Sequence, residues 1–260
     1  MTLSAADRVC GCGGARRDWD NGGVTDPDAR GDSTDSAPGS DRGEADYAQN
    51  LSTIRRSYVS GTLTEDVLYP TWLEQLTYWY DQAAEDARIP EPNAMQVATA
   101  DADGRPDIRT VLARGFDAAG VVFYTNYGSA KGTQLAANPA AAAVFAWLPL
   151  ERQVRFRGAV TRVSPEETAR YFAGRPRVSQ LAAWASPQSQ RLRDRNELDE
   201  SLAEVTQRFG NGEILPPPNW GGYRIAVDEI EFWQGREFRL HDRLRFRRQD
   251  GNWLVERLAP

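Results

Sequence analysis

The stretch AMQVATADADGRPDIRTVLARGFDAAGVVFYT, residues 94–125, decides the fold class. At Ala94–Ala100 the helical period of the preceding segment gives way, and the run reads as a strand. Asp101-Ala-Asp-Gly104 is turn chemistry, and Asp107–Ala113 reads as the returning strand. Asp117-Ala-Ala-Gly120 is a second turn, leading into a third strand at Val121–Thr125. Three strands joined by short turns are antiparallel neighbours, not the strands of a βαβ unit.

The pattern continues on both sides. Upstream, Leu73, Leu76, Trp79 and Tyr80 within residues 67–87 have helical spacing after Pro70. Downstream, a short helix is expected over Ser129–Asn138, with strands at Ala141–Trp147 and Gln153–Val163. Ser164-Pro-Glu-Glu167 is a helix start, with Ser at the N-cap, Pro in the first turn and Glu placed for a capping box. That helix stops at Gly174, and another spans about Arg191–Phe209. Pro216-Pro-Pro218 then leads into strands near Gly222–Val227, Ile230–Trp233, Leu240–Arg247 and Trp253–Leu258. The body is therefore mainly β, antiparallel, with peripheral helices (α+β), and a barrel suits it better than a doubly wound sheet.

Composition narrows the function. The 260 residues carry a formal charge of −6, with 40 % hydrophobic and 26 % charged residues. Residues 1–50 hold five arginines against ten acids, so −5 of that charge sits there. Residues 1–46 are Gly-, Asp- and Ser-rich with almost no large apolar side chains, and read as a disordered acidic tail before a domain over 47–260. The near-neutral body argues against nucleic acid as a partner. No apolar run reaches the roughly 18 residues of a membrane span. Asp7 and Arg8 interrupt any secretory signal, so a cytoplasmic protein is expected. Cys10 and Cys12 cannot staple a fold, and a single histidine rules out zinc held by paired histidines. No Gly-rich phosphate loop or nucleophile elbow occurs.

The remaining chemistry is cationic. Arg109 and Arg114 share one strand and point to opposite faces unless a bulge intervenes. Tyr124-Thr125 precedes Ser129-Ala-Lys131 at a helix start, where hydroxyls and a cation favour an anion. Arg175-Pro-Arg177, with Ser179, sits at another helix start. Arg239-Leu-His241-Asp-Arg243 follows Trp233, and His241 is read two residues after Arg239 on the same face of a strand. Two anion sites with aromatic walls indicate a phosphorylated cofactor and a phosphorylated substrate, which arginine binds through its planar fork.

From about Leu51 to Pro260 the chain resembles pyridoxamine 5′-phosphate oxidases. The resemblance rests on Arg109-Thr-Val-Leu, Phe123-Tyr-Thr-Asn126, Glu151-Arg-Gln153, Tyr171-Phe, Arg175-Pro-Arg177, Ser179-Gln180, Gln188-Ser189, Trp220-Gly-Gly222, Glu231-Phe-Trp-Gln-Gly235, Arg239-Leu-His-Asp-Arg243 and Glu256-Arg-Leu-Ala-Pro260. It implies an FMN-binding split β-barrel, working as a homodimer with FMN at the interface. It further implies FMN contacts from Arg109, Arg114, Tyr124, Thr125, Lys131, Gln153, Gln188, Ser189, Trp233 and Arg243. Substrate would be held by Arg55, Tyr58, Arg114, Tyr171, Arg175, Ser179, Arg239 and His241, with Arg239 and His241 as the catalytic pair. Arg55 and Tyr58 would lie on a mobile N-terminal segment covering the site. The implied reaction oxidises pyridoxine or pyridoxamine 5′-phosphate to pyridoxal 5′-phosphate, and O2 becomes H2O2.

Two positions depart from the family pattern: Arg114 stands where a lysine is common, and Ala130 where many members have an arginine on the FMN phosphate. Other readings stay open: a split-barrel reductase using a flavin or deazaflavin, or a non-catalytic protein binding FMN or pyridoxal phosphate.

Overall fold

A computed structural model describes residues 57–260. The expected tail, the domain start at Tyr47, both cysteines and Arg55 lie outside the described residues. Among those described, none of the helices is long and apolar enough to cross a membrane.

Among the described residues nine antiparallel strands run β1 (Ala94–Ala100), β2 (Pro106–Asp117), β3 (Gly120–Asn126), β4 (Ala140–Trp147), β5 (Arg152–Arg162), β6 (Trp220–Ile225), β7 (Glu229–Gln234), β8 (Asp242–Gln249) and β9 (Asn252–Arg257). Their order is β4-β1-β2-β3-β6-β5-β7-β8-β9, and β4 also pairs with β5. That extra pairing closes the first six into a barrel, which removes their free edges. The expected antiparallel barrel with outer helices is what forms.

The barrel splits along β5. Its last residues, Val160–Arg162, pair with β6, while Arg152–Arg157 pair with β7 on the same edge. The chain passes from one partner to the other at Ala226–Asp228, whose amides bond to Ala159 O and Arg157 O. Gly158 permits this crossing, because a Cβ there would lie 1.6 Å from Ala226 O. Only a residue without a side chain lets two backbones approach so closely.

Alternation fills the interior: Phe145 and Trp147 from β4, Val154 and Phe156 from β5, Ile230 and Phe232 from β7, and Leu244 and Phe246 from β8 are buried. Helix α1 (Trp72–Glu85), started by a Thr71–Glu74 capping box, lays Trp72, Leu76, Trp79 and Ala83 onto this core. Trp79 meets Phe232 edge-on at 5.3 Å. Each such side chain contributes about 1.5–3 kcal/mol through burial.

A second, smaller cluster sits beside β3 and β6. Phe172 of α3 (Pro165–Ala173), Leu181 of α4 (Arg177–Ala185), Ile214 and Trp220 are its buried members. Helix α5 (Arg195–Phe209) packs on α4 and starts four residues later than expected, because Asp194 is its N-cap. Helix α2 (Ala130–Ala137) follows β3 and is capped by Ser129.

One expectation is overturned. Residues Leu240 and His241 do not begin a strand; β8 starts at Asp242. Arg239 lies in a 3-10 turn, Glu237–Arg239, with Phe238 and Arg239 at φ of 56° and 64°. Arg239 and His241 therefore do not share a strand face. Left-handed φ at two successive non-glycine residues turns the chain before the ladder can form.

Candidate functional site

β2 and β3 lie in register up to Ala113–Phe123 and resume at Gly115–Val122, leaving Arg114 as an extra residue. This bulge is the irregularity that decides where Arg114 points. Arg114 lines a cleft of about 430 Å³, together with Thr125, Lys131, Tyr171, Arg175 and Ser179. Tyr124 and Gln188 complete its aromatic and polar walls. Among the described residues, three cations and no carboxylate line the cleft, a donor set that matches a phosphate ester.

Each wall residue is held by its element. Tyr124 stacks on Tyr171, at 3.8 Å between ring centroids, and both rings lie near-parallel to Trp220, at 5.5 and 6.2 Å. Burial raises the Tyr124 phenol to a pKa of about 12, so it is a hydroxyl donor at any working pH. Arg175 spreads over the Trp220 ring at 4.7 Å and donates to Ser179 O at 3.0 Å, leaving the remainder of its fork for a ligand. Lys131 is 8 % exposed; its Nζ donates to Thr125 Oγ1 at 3.2 Å and Gln188 Oε1 at 3.0 Å. Burial, then the charge of Arg109, holds its ammonium below the usual lysine value.

Arg109 stands behind the cleft instead of lining it. Its guanidinium donates to Thr99 Oγ1 at 2.6 Å and Gln134 Oε1 at 3.1 Å, and pairs with Asp107. The roles of Asp107 and Gln134 were not read from the sequence. Asp107 was legible, being two residues from Arg109 on one strand face; Gln134, on α2, left no local signal. Trp220 was seen only as part of a motif, although it backs both Tyr124 and Arg175.

The other expected site residues form a separate group. Gln153, Trp233 and Arg243 are cross-strand partners in one row over β5, β7 and β8. Trp233 lies 4.6 Å from His241, and the Tyr58 ring meets both at 5.8 and 5.6 Å. Arg243 is bidentate on Glu231, at 2.7 and 3.1 Å. Burial opposes ionisation of Glu231, but its hydrogen bonds from Arg243 and Arg155 prevail and lower its pKa. His241 Nδ1 accepts the Arg236 main-chain N–H at 3.1 Å, which leaves the proton of the neutral ring on Nε2. Burial, then the Arg239 charge, pushes its pKa below the usual 6.5. Ser189, at φ 70°, follows Gln188 but does not line the cleft. None of the Trp233 group lines it either.

Comparison with known proteins covers both segments of the chain. Residues 81–209 match the family model described as pyridoxamine 5′-phosphate oxidase, and residues 220–260 match that of the pyridoxine 5′-phosphate oxidase C-terminal dimerisation region. A pyridoxine/pyridoxamine 5′-phosphate oxidase of Saccharopolyspora erythraea is 57 % identical over 211 residues, covering 81 % of this chain and 95 % of that one. The Salinibacter ruber protein of the same name is 51 % identical, covering 81 % and 99 %. Among solved structures, PhzG from Burkholderia lata, in complex with tetrahydrophenazine-1-carboxylic acid, is 32 % identical with a TM-score of 0.69, covering 75 % of this chain and 98 % of its own.

Proposed function

Because the chain belongs to the pyridoxamine 5′-phosphate oxidase family, we propose that it oxidises pyridoxine or pyridoxamine 5′-phosphate to pyridoxal 5′-phosphate, using FMN and O2. The observation that carries this reading is the cleft with Arg114, Lys131 and Arg175 on its walls, stacked tyrosines beside them and no acid among its described lining residues. Its volume, about 430 Å³, suits a small phosphorylated ligand.

Lys131, Thr125 and Gln188 would hold the FMN phosphate, with Arg109 adding its charge from outside the lining, and Tyr171, Arg175 and Ser179 the substrate phosphate. Arg114, which lines the same cleft, would add a further cation. Bound FMN would supply the redox chemistry, as two-electron acceptor for oxidation at the substrate's 4′ carbon with O2 as the final acceptor, reduced to H2O2.

The protein's own part is binding and orientation. The His241 Nε2–H would seat the pyridine ring, Trp233 would contact the flavin, and Arg239 would stabilise charge near the reacting carbon. Gln153, Trp233 and Arg243 lie outside the cleft of their own chain. A homodimer in which they meet the partner's cleft, with FMN at the interface, accounts for that separation, and the match to a dimerisation region supports it.

A second reading is a flavin oxidase acting on a different ring system. The likeness to PhzG, solved with a phenazine acid, favours keeping it in view. The experiment is anaerobic mixing of FMN-loaded protein with pyridoxamine 5′-phosphate, followed by absorbance. Bleaching, with peroxide formed when oxygen is admitted, is expected. A flavin that stays oxidised with both vitamin phosphates would refute the proposal. Arg239→Leu should cut turnover by orders of magnitude with FMN still bound.

A further inference from the structure

The segment carrying Tyr58 is tied down by residues that the site itself does not use. Asp242 Oδ2 accepts the Leu63 main-chain N–H at 3.1 Å and Arg236 Nη1 at 3.3 Å, while its Oδ1 accepts Arg257 Nη1 at 2.9 Å. Arg257 closes on the same segment from the other side. Its Nη2 donates to Leu63 O at 3.1 Å, and its fork is bidentate on Glu65, at 2.8 and 2.7 Å. Leu63 is thus gripped at both its N–H and its C=O, and its side chain is buried in the barrel core.

Towards Tyr58 the segment stays attached. The Ser60 N–H donates to the buried carboxylate of Glu151 at 2.9 Å. The Tyr58 ring fills the space left by Gly235, where a Cβ would lie 2.8 Å from Tyr58 Cγ. Five residues can span roughly 17 Å, so without these ties Tyr58 would range widely around Trp233 and His241.

We propose that Asp242 and Arg257 are positioning residues, which clamp residues 58–65 across the Trp233–His241 group and thereby retain substrate there. This rests on reading that group as the ring-binding part of the site. The latch stays charged over the working pH range, because the Arg257 guanidinium holds the Glu65 carboxyl at about 2. Glu65 and Arg257 are partly exposed, and an exposed ion pair contributes little to global stability. Its effect should therefore fall on the segment and not on the barrel.

The test uses the FMN-loaded full chain with Arg257→Ala, Glu65→Gln and Arg257→Lys. Hydrogen exchange at the Ser60 and Leu63 amides should accelerate about tenfold or more in Arg257→Ala. KM for pyridoxamine 5′-phosphate should rise about tenfold, with kcat within about twofold and FMN affinity unchanged. Glu65→Gln should move both in the same direction by less, and Arg257→Lys should restore part of each. Unchanged exchange in Arg257→Ala overturns the proposal, and so does faster exchange with an unaltered KM. If the wild type fails to oxidise either vitamin phosphate, the oxidase reading falls, while the exchange rates still decide whether Arg257 holds the segment.

Discussion

Replacing Lys131 by methionine should separate stability from binding. The ammonium is buried and its two hydrogen-bond acceptors are neutral, Thr125 Oγ1 at 3.2 Å and Gln188 Oε1 at 3.0 Å. Those two also bond to each other at 2.8 Å, so removing the ammonium strands neither. The lost bonds contribute about 1.5–3 kcal/mol each at most, and less at these distances. Taking an ammonium out of water costs several kcal/mol even after relaxation, and the nearby Arg109 adds to that cost. Burial wins, and the flavin-free variant should be as stable as the wild type or up to about 2 kcal/mol more stable.

Against a phosphate the balance reverses. A hydrogen bond between charged partners contributes about 1.5–3 kcal/mol, so the FMN Kd should rise about tenfold to 150-fold.

The sign of the pH dependence follows from the lowered pKa. Between that value and the usual 10.5 the unfolded chain keeps a proton that the folded chain has released, so wild-type stability rises with pH through this window. Urea denaturation of both flavin-free proteins, at neutral pH and at steps towards 10.5, should show a gap that is widest at neutral pH and closes upward. A variant less stable than wild type by more than about 1 kcal/mol at neutral pH would refute the reasoning, as would a gap indifferent to pH. An FMN Kd within about twofold of wild type would refute the binding half.

Three other outcomes are expected. His241 is the single histidine, and its NMR titration should fall below 6.5, moving upward in Arg239→Leu; a midpoint at or above 6.5 contradicts the site electrostatics. The sign is that the unfolded chain takes up this proton first, so stability falls as pH drops below 6.5 towards the lowered value. Gly158→Ala drives a Cβ into Ala226 O and should cost about 3 kcal/mol or more, or abolish soluble expression, and a wild-type melting temperature would exclude the close crossing. Arg175→Ala should raise KM about tenfold with little change in kcat, since a phosphate contact acts in ground state and transition state alike; an unchanged KM would remove Arg175 from the phosphate site.

Much of this protein was legible in its sequence because the determining interactions are local. Short runs bounded by the turns at Asp101–Gly104 and Asp117–Gly120 mark three strands before any long-range contact is known, and the Ser164 cap starts α3 where it was expected. The cationic character of the site was likewise a matter of residue type. Tertiary structure decided the rest, for reasons of distance along the chain. Closure through β4–β5 and the split of β5 between β6 and β7 depend on pairings up to about 80 residues apart, which no local pattern encodes. The bulge that aims Arg114 arises from a register slip against β3, a property of two strands together. Arg239 left its expected strand face because two left-handed residues turn the chain before β8. Asp242 gripping Leu63, 179 residues away, is such a case too: a carboxylate's role is set by the donors that folding brings to it, and composition alone carries no record of them.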